Sequence, residues 1–270
     1  MHQGVNTLAG KSRQRFSKQP TRNAQGETID GPDELGELWR NFLSGKFSAT
    51  ELEAARAEYE DLGDTDMTEE DQMTIMEYLD AVDRMKKGKA VGPDGVPAEV
   101  YKNSELARSE LFFFLQQVWK HECVPKNLVL CMFVMIHKKG SNEMLDNYRA
   151  LGMLNHAYKI LSICLLKRLV AETEWFISDW QAGFRSGRGC RDNILLLRVL
   201  YDNIIANNKN CVVTYIDFAA AFDSVSHKFL DEALAKAGAK RKTRALLRAI
   251  PLSTSPDGVF VDIKTGSVID

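Results

Sequence analysis

The chain has no hydrophobic run long enough to cross a bilayer. Its longest uninterrupted apolar stretch, Leu128 to Ile136, is nine residues, where a spanning helix needs ~20. The first twenty residues, MHQGVNTLAGKSRQRFSKQP, hold no apolar segment of the kind a secretory signal carries. No C-x-x-C pair occurs, and the five cysteines (Cys123, Cys131, Cys164, Cys190, Cys211) are odd in number and scattered. That excludes a disulfide framework and leaves reduced thiols in an intracellular protein as the expectation. His121 and Cys123 lack a second pair to complete a zinc tetrahedron. A Walker A pattern is also missing, which excludes an ordinary phosphate-loop NTPase. What is present, 44% hydrophobic and 27% charged residues in a chain of 270, is ordinary for one large or two small globular domains.

The net charge of -2 conceals segregation. Residues 1–26 carry five bases and no acid, residues 27–84 carry eighteen acids against four bases, and residues 85–270 have a surplus of seven bases. The long basic part is where a polyanion would bind. Residues 1–25 have no apolar periodicity and are expected to be a disordered basic tail.

An apolar stripe at Leu35, Leu38, Trp39, Phe42 and Leu43 predicts a helix over about 32–45. After an acidic stretch from Glu51 to Asp66, Thr68-Glu-Glu-Asp71 resembles a helix start. The helix that follows would bury Met73, Met76, Leu79 and Val82 and end in the cationic MKKGK. GPDGVP (92–97) is a tight turn. Helices are expected at about 104–121, 155–173, 191–207, 226–237 and from 241 to just before Pro251. Leu128–Ile136 reads as a buried strand followed by a basic turn, His137-Lys138-Lys139-Gly140, and a polar loop to Arg149. Cys211–Asp217 reads as a short buried strand ending in an acid, and Val259–Ile263 is strand-like after Asp257-Gly258.

Three segments could carry chemistry. In YIDFAAAFDSV, a carboxylate at a strand end suits a Mg²⁺ ligand, since hard cations take oxygen donors together with substrate phosphates. The small residues Ala219, Ala220 and Ala221 would let backbone N–H groups approach a triphosphate, with Phe222 beside the sugar. Equally, Asp217 could simply end a strand and Asp223 cap a helix. A D-x-D hydrolase is disfavoured because the second position is Ala219. In the second segment, Lys138, Lys139 and Arg149 flank a loop that could close on phosphates or be merely solvated. In the third, QAGFRSGRGCRDN (181–193), Arg185, Arg188 and Arg191 stand among three glycines with Phe184 able to stack on a base.

Taken in order, KAVGPDGVPAEVYK, IHKKGSNEMLDNYRALGMLNHAYKILSICLLKRL, SDWQAGFRSGRGCRDNI and YIDFAAAFDSVSH resemble the reverse transcriptase domain of non-LTR (LINE-type) retrotransposons over roughly residues 26–250. The resemblance implies an α+β fold: helix-rich fingers plus an incomplete palm of a right-hand polymerase. It divides the chain into the tail (1–25), an acidic helical run-in (26–85), fingers (86–207) and a partial palm (208–270). Asp217 matches the first metal-binding aspartate, with the carbonyl of Phe218 as a further ligand. Phe222 matches the residue packing under the sugar, and Lys138 and Arg149 match those holding the incoming dNTP. Gln181, Gly183, Phe184, Arg185 and Arg188 fall in a block lying along template and primer.

Two departures stand out. The family usually has proline where this chain has His137 and again at Ala150, which is expected to loosen the loop bearing Lys138 and Arg149. The later glycine–glutamine loop and the paired-aspartate hairpin do not occur before Asp270, so a two-metal site would be incomplete. The implied function is RNA-directed DNA polymerisation with Mg²⁺, on an RNA template and DNA primer, once completed by the palm and thumb of the same polyprotein. These 270 residues alone are expected to be inactive. The alternative is a non-catalytic nucleic-acid-binding remnant. Either would act without a membrane, as an intracellular ribonucleoprotein in nucleus or cytoplasm.

Overall fold

The structure is a computed structural model that describes residues 22, 29, 32–46, 72–141, 143–218, 225–250, 259–261 and 268–269. The expectations for the basic tail up to residue 21, the acidic stretch 51–66, the helix start at 68–71, Ala219 to Asp223, and the turns at 257–258 and 264–266 lie outside the described residues. Helices dominate. In chain order they are α1 (Pro32–Lys46), α2 (Ile75–Arg84), α3 (Ala98–Asn103), α4 (Glu105–His121), α5 (Lys126–Val129), α6 (His156–Thr173), α7 (Cys190–Ala206), α8 (His227–Lys236) and α9 (Arg241–Ala249). A small sheet comprises β1 (Cys131–His137), β2 (Tyr148–Leu154), β3 (Val259–Val261) and β4 (Val268–Ile269), in the order β2-β1-β3-β4. β1 pairs antiparallel with β2 and parallel with β3, so the sheet takes strands from both sides of residue 208.

The main core lies between α2, α4 and α6, with α5 and α9 closing it. Tyr78, Leu115, Trp119, Ile160, Leu161 and Leu246 are completely or almost completely buried there. The α4 stripe falls as its spacing predicts: Leu111, Leu115, Val118 and Trp119 are buried and Phe112 packs against them. On α2 the pattern is corrected. Met76 is exposed, and Tyr78 and Ala81 take the buried side with Val82. The helix starts later than Thr68: the Thr74 hydroxyl accepts from the Glu77 N–H while the Glu77 carboxylate accepts from the Thr74 N–H. This reciprocal cap has the same residue spacing as the one anticipated upstream.

Two ends of this core are clamped by half-buried ion pairs. Glu77 also receives both guanidinium edges of Arg168, at 2.7 and 2.8 Å, and Arg168 lies over the Trp119 ring at 4.9 Å. Burial pushes the Glu77 carboxyl up, but the Arg168 and Thr74 hydrogen bonds outweigh it and hold the group at about 2. At the other end Asp231 on α8 accepts from Arg244 and Arg248 of α9 through four bonds of 2.6–3.1 Å. Here too burial raises the carboxyl while the two arginines outweigh it and bring it to about 2. Glu122, just past α4, accepts from Arg241 and Lys242, and so ties α9 to the core.

α1 packs on one face of the β1–β2 hairpin. Trp39 and Leu43 are buried against Met135 and Tyr148, with the Trp39 and Tyr148 rings edge to face at 5.2 Å. In contrast α7 has no buried residue. Ile194, Leu195, Val199, Leu200 and Ile205 all stand exposed, an apolar surface larger than scattered single residues would make. The expected strand Cys211–Asp217 is not formed. The segment is exposed and lacks ladder hydrogen bonds, because among the described residues no strand lies alongside it, and an extended apolar segment without a partner leaves its backbone groups to water. A further strand, β2, occurs where only a loop was expected.

Two predictions follow from this architecture. Glu77 and Asp231 both have carboxyls depressed on folding, so their contribution is complete above pH ~4.5 and is lost as pH falls toward 2. Each is worth ~2 kcal/mol. Thermal melts should therefore drop steeply between pH 4.5 and 2, and Asp231→Asn should flatten part of that drop. An unchanged profile in the variant would remove Asp231 from the clamp. The exposed face of α7 should make the chain self-associate at micromolar concentration, relieved by Leu195→Glu with Val199→Glu. A monodisperse monomer in light scattering of the parent chain would contradict this.

Candidate polymerase site

The hairpin positions the two phosphate-binding candidates. Its register sets Ile136 opposite Arg149 and His137 opposite Tyr148, and the Lys138 N–H donates to the Asn147 carbonyl at 2.8 Å. Directly opposed residues share a face and alternate residues return to it. Ile136, Lys138, Asn147, Arg149 and Leu151 thus occupy one face, with Lys138 and Arg149 exposed at its loop end. Met135, His137, Tyr148 and Ala150 occupy the other, under α1. The pairing of β1 with β2 runs unbroken through the two positions where proline was anticipated, His137 and Ala150. His137 rests edge-on against the Tyr148 ring at 5.2 Å.

What fixes this hairpin to the core is Asn155, directly after β2. Its side-chain amide donates to the carbonyls of Asn127 (3.0 Å) and Leu128 (3.3 Å) and accepts from the Asp94 N–H at 3.2 Å. The 92–95 turn closes with a Gly95 N–H bond to the Gly92 carbonyl. At Gly92 a Cβ would fall 2.4 Å from the Asn155 Oδ1, so no side chain fits. His156, also buried, hydrogen-bonds the Val96 carbonyl through Nδ1 at 2.9 Å. The GPDGVP turn is accordingly a structural latch, as expected, and Asn155 and His156 are the partners that the sequence did not disclose.

Asp217 and Phe218 lie on the exposed segment after α7. Helix α7 ends with Asn208 in the left-handed region (φ 50°). The Asn208 and Lys209 N–H groups bond back to the carbonyls of Ile205 and Ile204, a Schellman closure that reverses the chain. The neighbouring Tyr215 phenol raises the Tyr201 phenol on α7 above its ordinary range. Asp217 makes no ion pair with another described residue, and no cluster of three or more His, Cys, Asp or Glu able to hold a metal occurs among the described residues. The Asp217 carboxylate and the Phe218 carbonyl are hard oxygen donors of the kind Mg²⁺ takes, so the donor chemistry fits. Ala220, Ala221 and Phe222 lie outside the described residues.

The arginine loop departs from the expectation in one respect. The Arg185 guanidinium is buried within the chain: it donates to Glu174 (2.5 and 3.0 Å), to the Ser178 carbonyl (2.9 Å) and to the Gln181 carbonyl (3.5 Å). Arg185 therefore shapes the loop, while Arg188, 3.5 Å from Asp179, and Gln181, Gly183 and Phe184 stand exposed around it. A salt bridge across eleven residues of irregular chain leaves no periodic signal in the sequence.

Residues 136–263 match the family described as reverse transcriptase (RNA-dependent DNA polymerase); over that segment the chain is a reverse transcriptase domain. The chain is similar to the probable RNA-directed DNA polymerase from transposon BS of Drosophila melanogaster, with 24% identity over 80% of this chain and 25% of that protein. It also resembles the transposon TX1 uncharacterized 149 kDa protein of Xenopus laevis (23%, over 76% and 16%). A third relative is the Pol polyprotein from the type-1 retrotransposable element R2 of Popillia japonica (28%, over 56% and 20%). The domain is of the non-LTR, LINE retrotransposon type. The chain spans about a quarter or less of the length of these relatives.

Arg185→Ala should open the loop and cost roughly 1–2 kcal/mol. Hydrogen exchange should then show the Gln181 and Arg188 amides losing protection, with Arg185→Lys a poor substitute because it cannot bridge the same oxygens. Unaltered protection in Arg185→Ala would show that the loop holds its shape without it.

Proposed function

We propose that this chain carries the fingers and the first palm segment of a right-hand polymerase, with the run-in at 26–85, fingers at 86–207 and partial palm at 208–270. Its role is the extension of a DNA primer on an RNA template. The supporting observation is the register that puts Lys138 and Arg149 on the same exposed face of the hairpin, diagonally across from each other. Lysine meets a polyphosphate as a point charge and arginine as a planar fork, so the pair suits the triphosphate of an incoming dNTP.

Asp217, with the Phe218 carbonyl, would hold Mg²⁺; the remaining ligands come from substrate phosphates and from residues outside those described. When bound, the ion neutralises charge developing on the transferred phosphoryl group. In this reading Ala220 and Ala221 present backbone N–H groups near the triphosphate and Phe222 packs under the sugar. Gln181, Gly183, Phe184 and Arg188 lie along template and primer, on a loop that Arg185 holds in shape. The primer 3′-OH attacks the α-phosphate and pyrophosphate leaves. The working molecule is a longer polyprotein acting as a ribonucleoprotein in nucleus or cytoplasm.

The test has two parts. With the 270-residue chain, Lys138→Ala combined with Arg149→Ala should weaken dNTP binding about tenfold or more, since each lost charge-assisted bond is worth ~1.5–3 kcal/mol. In a longer polypeptide containing this chain, Asp217→Asn should abolish primer extension while RNA binding stays near normal. Extension that persists in that variant takes Asp217 out of the site.

A further inference from the structure

The loop that joins β1 to β2 presents a serine for which the polymerase reading has no use. From residue 138 its sequence is Lys-Lys-Gly-Ser, so Ser141 has lysine at both the second and the third position before it. In the whole sequence one other hydroxyl residue has bases at both of those positions: Thr243, after Lys240 and Arg241. Thr243 is 2% exposed and its hydroxyl donates to Glu172 at 3.0 Å, so another enzyme cannot reach it. Lys138, Lys139, Gly140 and Ser141 are all exposed.

The loop wraps around Asn147. The Asn147 carbonyl accepts from the Lys138 N–H at 2.8 Å, and its side-chain amide donates to the Ser141 carbonyl at 2.7 Å. At Gly140 (φ 87°) a Cβ would fall 2.7 Å from that same amide nitrogen. One residue therefore holds Lys138 and Ser141 close together. Asn147 also shares the exposed hairpin face with Lys138 and Arg149, so a group added at Ser141 arises beside both cations. The Ser141 hydroxyl oxygen accepts from the Glu143 N–H at 3.2 Å. The two bonds at Ser141 are exposed, and opening them to admit another protein's cleft costs little against water. From 138 to 149 the chain has three bases against two acids, Glu143 and Asp146, and Glu143 is met by Arg22 at 3.6 Å. A positive surplus before a serine suits a kinase cleft lined with carboxylates.

We propose that Ser141 is a phosphorylation site for a basophilic serine/threonine kinase, and that its phosphate closes the triphosphate site by pairing with Lys138 and Arg149. The second half rests on the polymerase reading of that pair. In the modification step the Ser141 Oγ attacks the γ-phosphorus of a nucleoside triphosphate. The bond from that phosphorus to the β,γ-bridging oxygen breaks, nucleoside diphosphate leaves with the electron pair, and the hydroxyl proton passes to a carboxylate of the kinase. The product carries a charge of about -1.5 to -2. Tethered three residues from Lys138, it acts at an effective concentration of about millimolar. It meets the point charge and the planar fork that would otherwise grip an incoming dNTP.

The experiment treats the 270-residue chain with ATP and the catalytic subunit of cAMP-dependent protein kinase, and maps the phosphate by mass spectrometry. Equilibrium binding of a fluorescent dATP analogue is then compared before and after treatment. The expected result is phosphate at Ser141, with slower incorporation there in Lys139→Ala. Phosphorylation should raise the Kd for the nucleotide about tenfold or more, and phosphatase should restore it. Ser141→Ala, treated alongside, accounts for phosphate on other serines and should keep the parent's Kd. Ser141 is exposed, so circular dichroism and melting of that variant should match the parent. Absence of phosphate at Ser141 overturns the proposal. So does a chain phosphorylated at Ser141 that binds nucleotide as tightly as the untreated one, or a treated Ser141→Ala that loses affinity equally. In all three cases nucleotide binding by the untreated chain leaves the polymerase reading standing. If the untreated chain binds no nucleotide, the reading of Lys138 and Arg149 falls and the occlusion falls with it.

Discussion

One buried amide holds the arrangement together. Asn155 joins three segments distant in sequence: the turn at 92–95, the passage from α5 into β1, and the passage from β2 into α6. Removing it would leave the Asp94 N–H and the carbonyls of Asn127 and Leu128 buried without that partner, and each orphaned group costs ~1–3 kcal/mol. Its reach also dictates the glycine at 92, because the turn must pass within 2.4 Å of the amide oxygen of Asn155 at the point where a Cβ would sit. The consequence is felt at the hairpin loop. Because β1 and β2 both leave from groups tied to Asn155, the pair Lys138 and Arg149 projects from a base anchored to the helical core.

Charged groups are used in two ways. Inside, carboxylates are shared among several donors: Glu77 between Arg168 and the α2 cap, Asp231 between two arginines, and Glu122 between Arg241 and Lys242. Breaking such pairs strands a buried charge, so they specify how α2, α6, α8 and α9 meet more than they add net stability. Outside, Lys138, Arg149 and Arg191 stand exposed. Arg185 shows that a basic residue in a glycine-rich loop belongs to either group depending on a single acidic neighbour eleven residues away.

Much of this was legible in the sequence where periodicity and capping act locally. The helix α1, the spans of α4 and α6, the Ser226 start of α8 and the end of α9 before Pro251 fall within a residue or two of their expected places. The order of motif blocks identified the family that residues 136–263 match. What escaped depends on distant partners. β2 was hidden because YRALGML does not alternate cleanly. Its Gly152 is explained only by the opposing strand, where a Cβ would lie 2.7 Å from the Cys131 sulfur. Asn155 and His156 looked like ordinary helix-start residues. Cys211–Asp217 erred the other way, since a β-prone run predicts a strand only if a neighbour is there to receive its hydrogen bonds.

That last point bears on how Asp217 could serve catalysis. A metal-binding carboxylate must be held within about half an ångström of its working position, and an exposed segment without a ladder does not achieve this. The Schellman closure of α7 sets the direction of the segment, but exposed hydrogen bonds are worth little against water. Val212, Tyr215 and Ile216, close to Asp217 in sequence, are exposed, as is the apolar face of α7. Covering them would supply both the hydrophobic gain and the strand neighbours that a fixed Asp217 requires. Under the proposed reading, a surface that docks on both α7 and the segment after it would also immobilise Asp217. The hairpin pair, anchored through Asn155, needs no such partner.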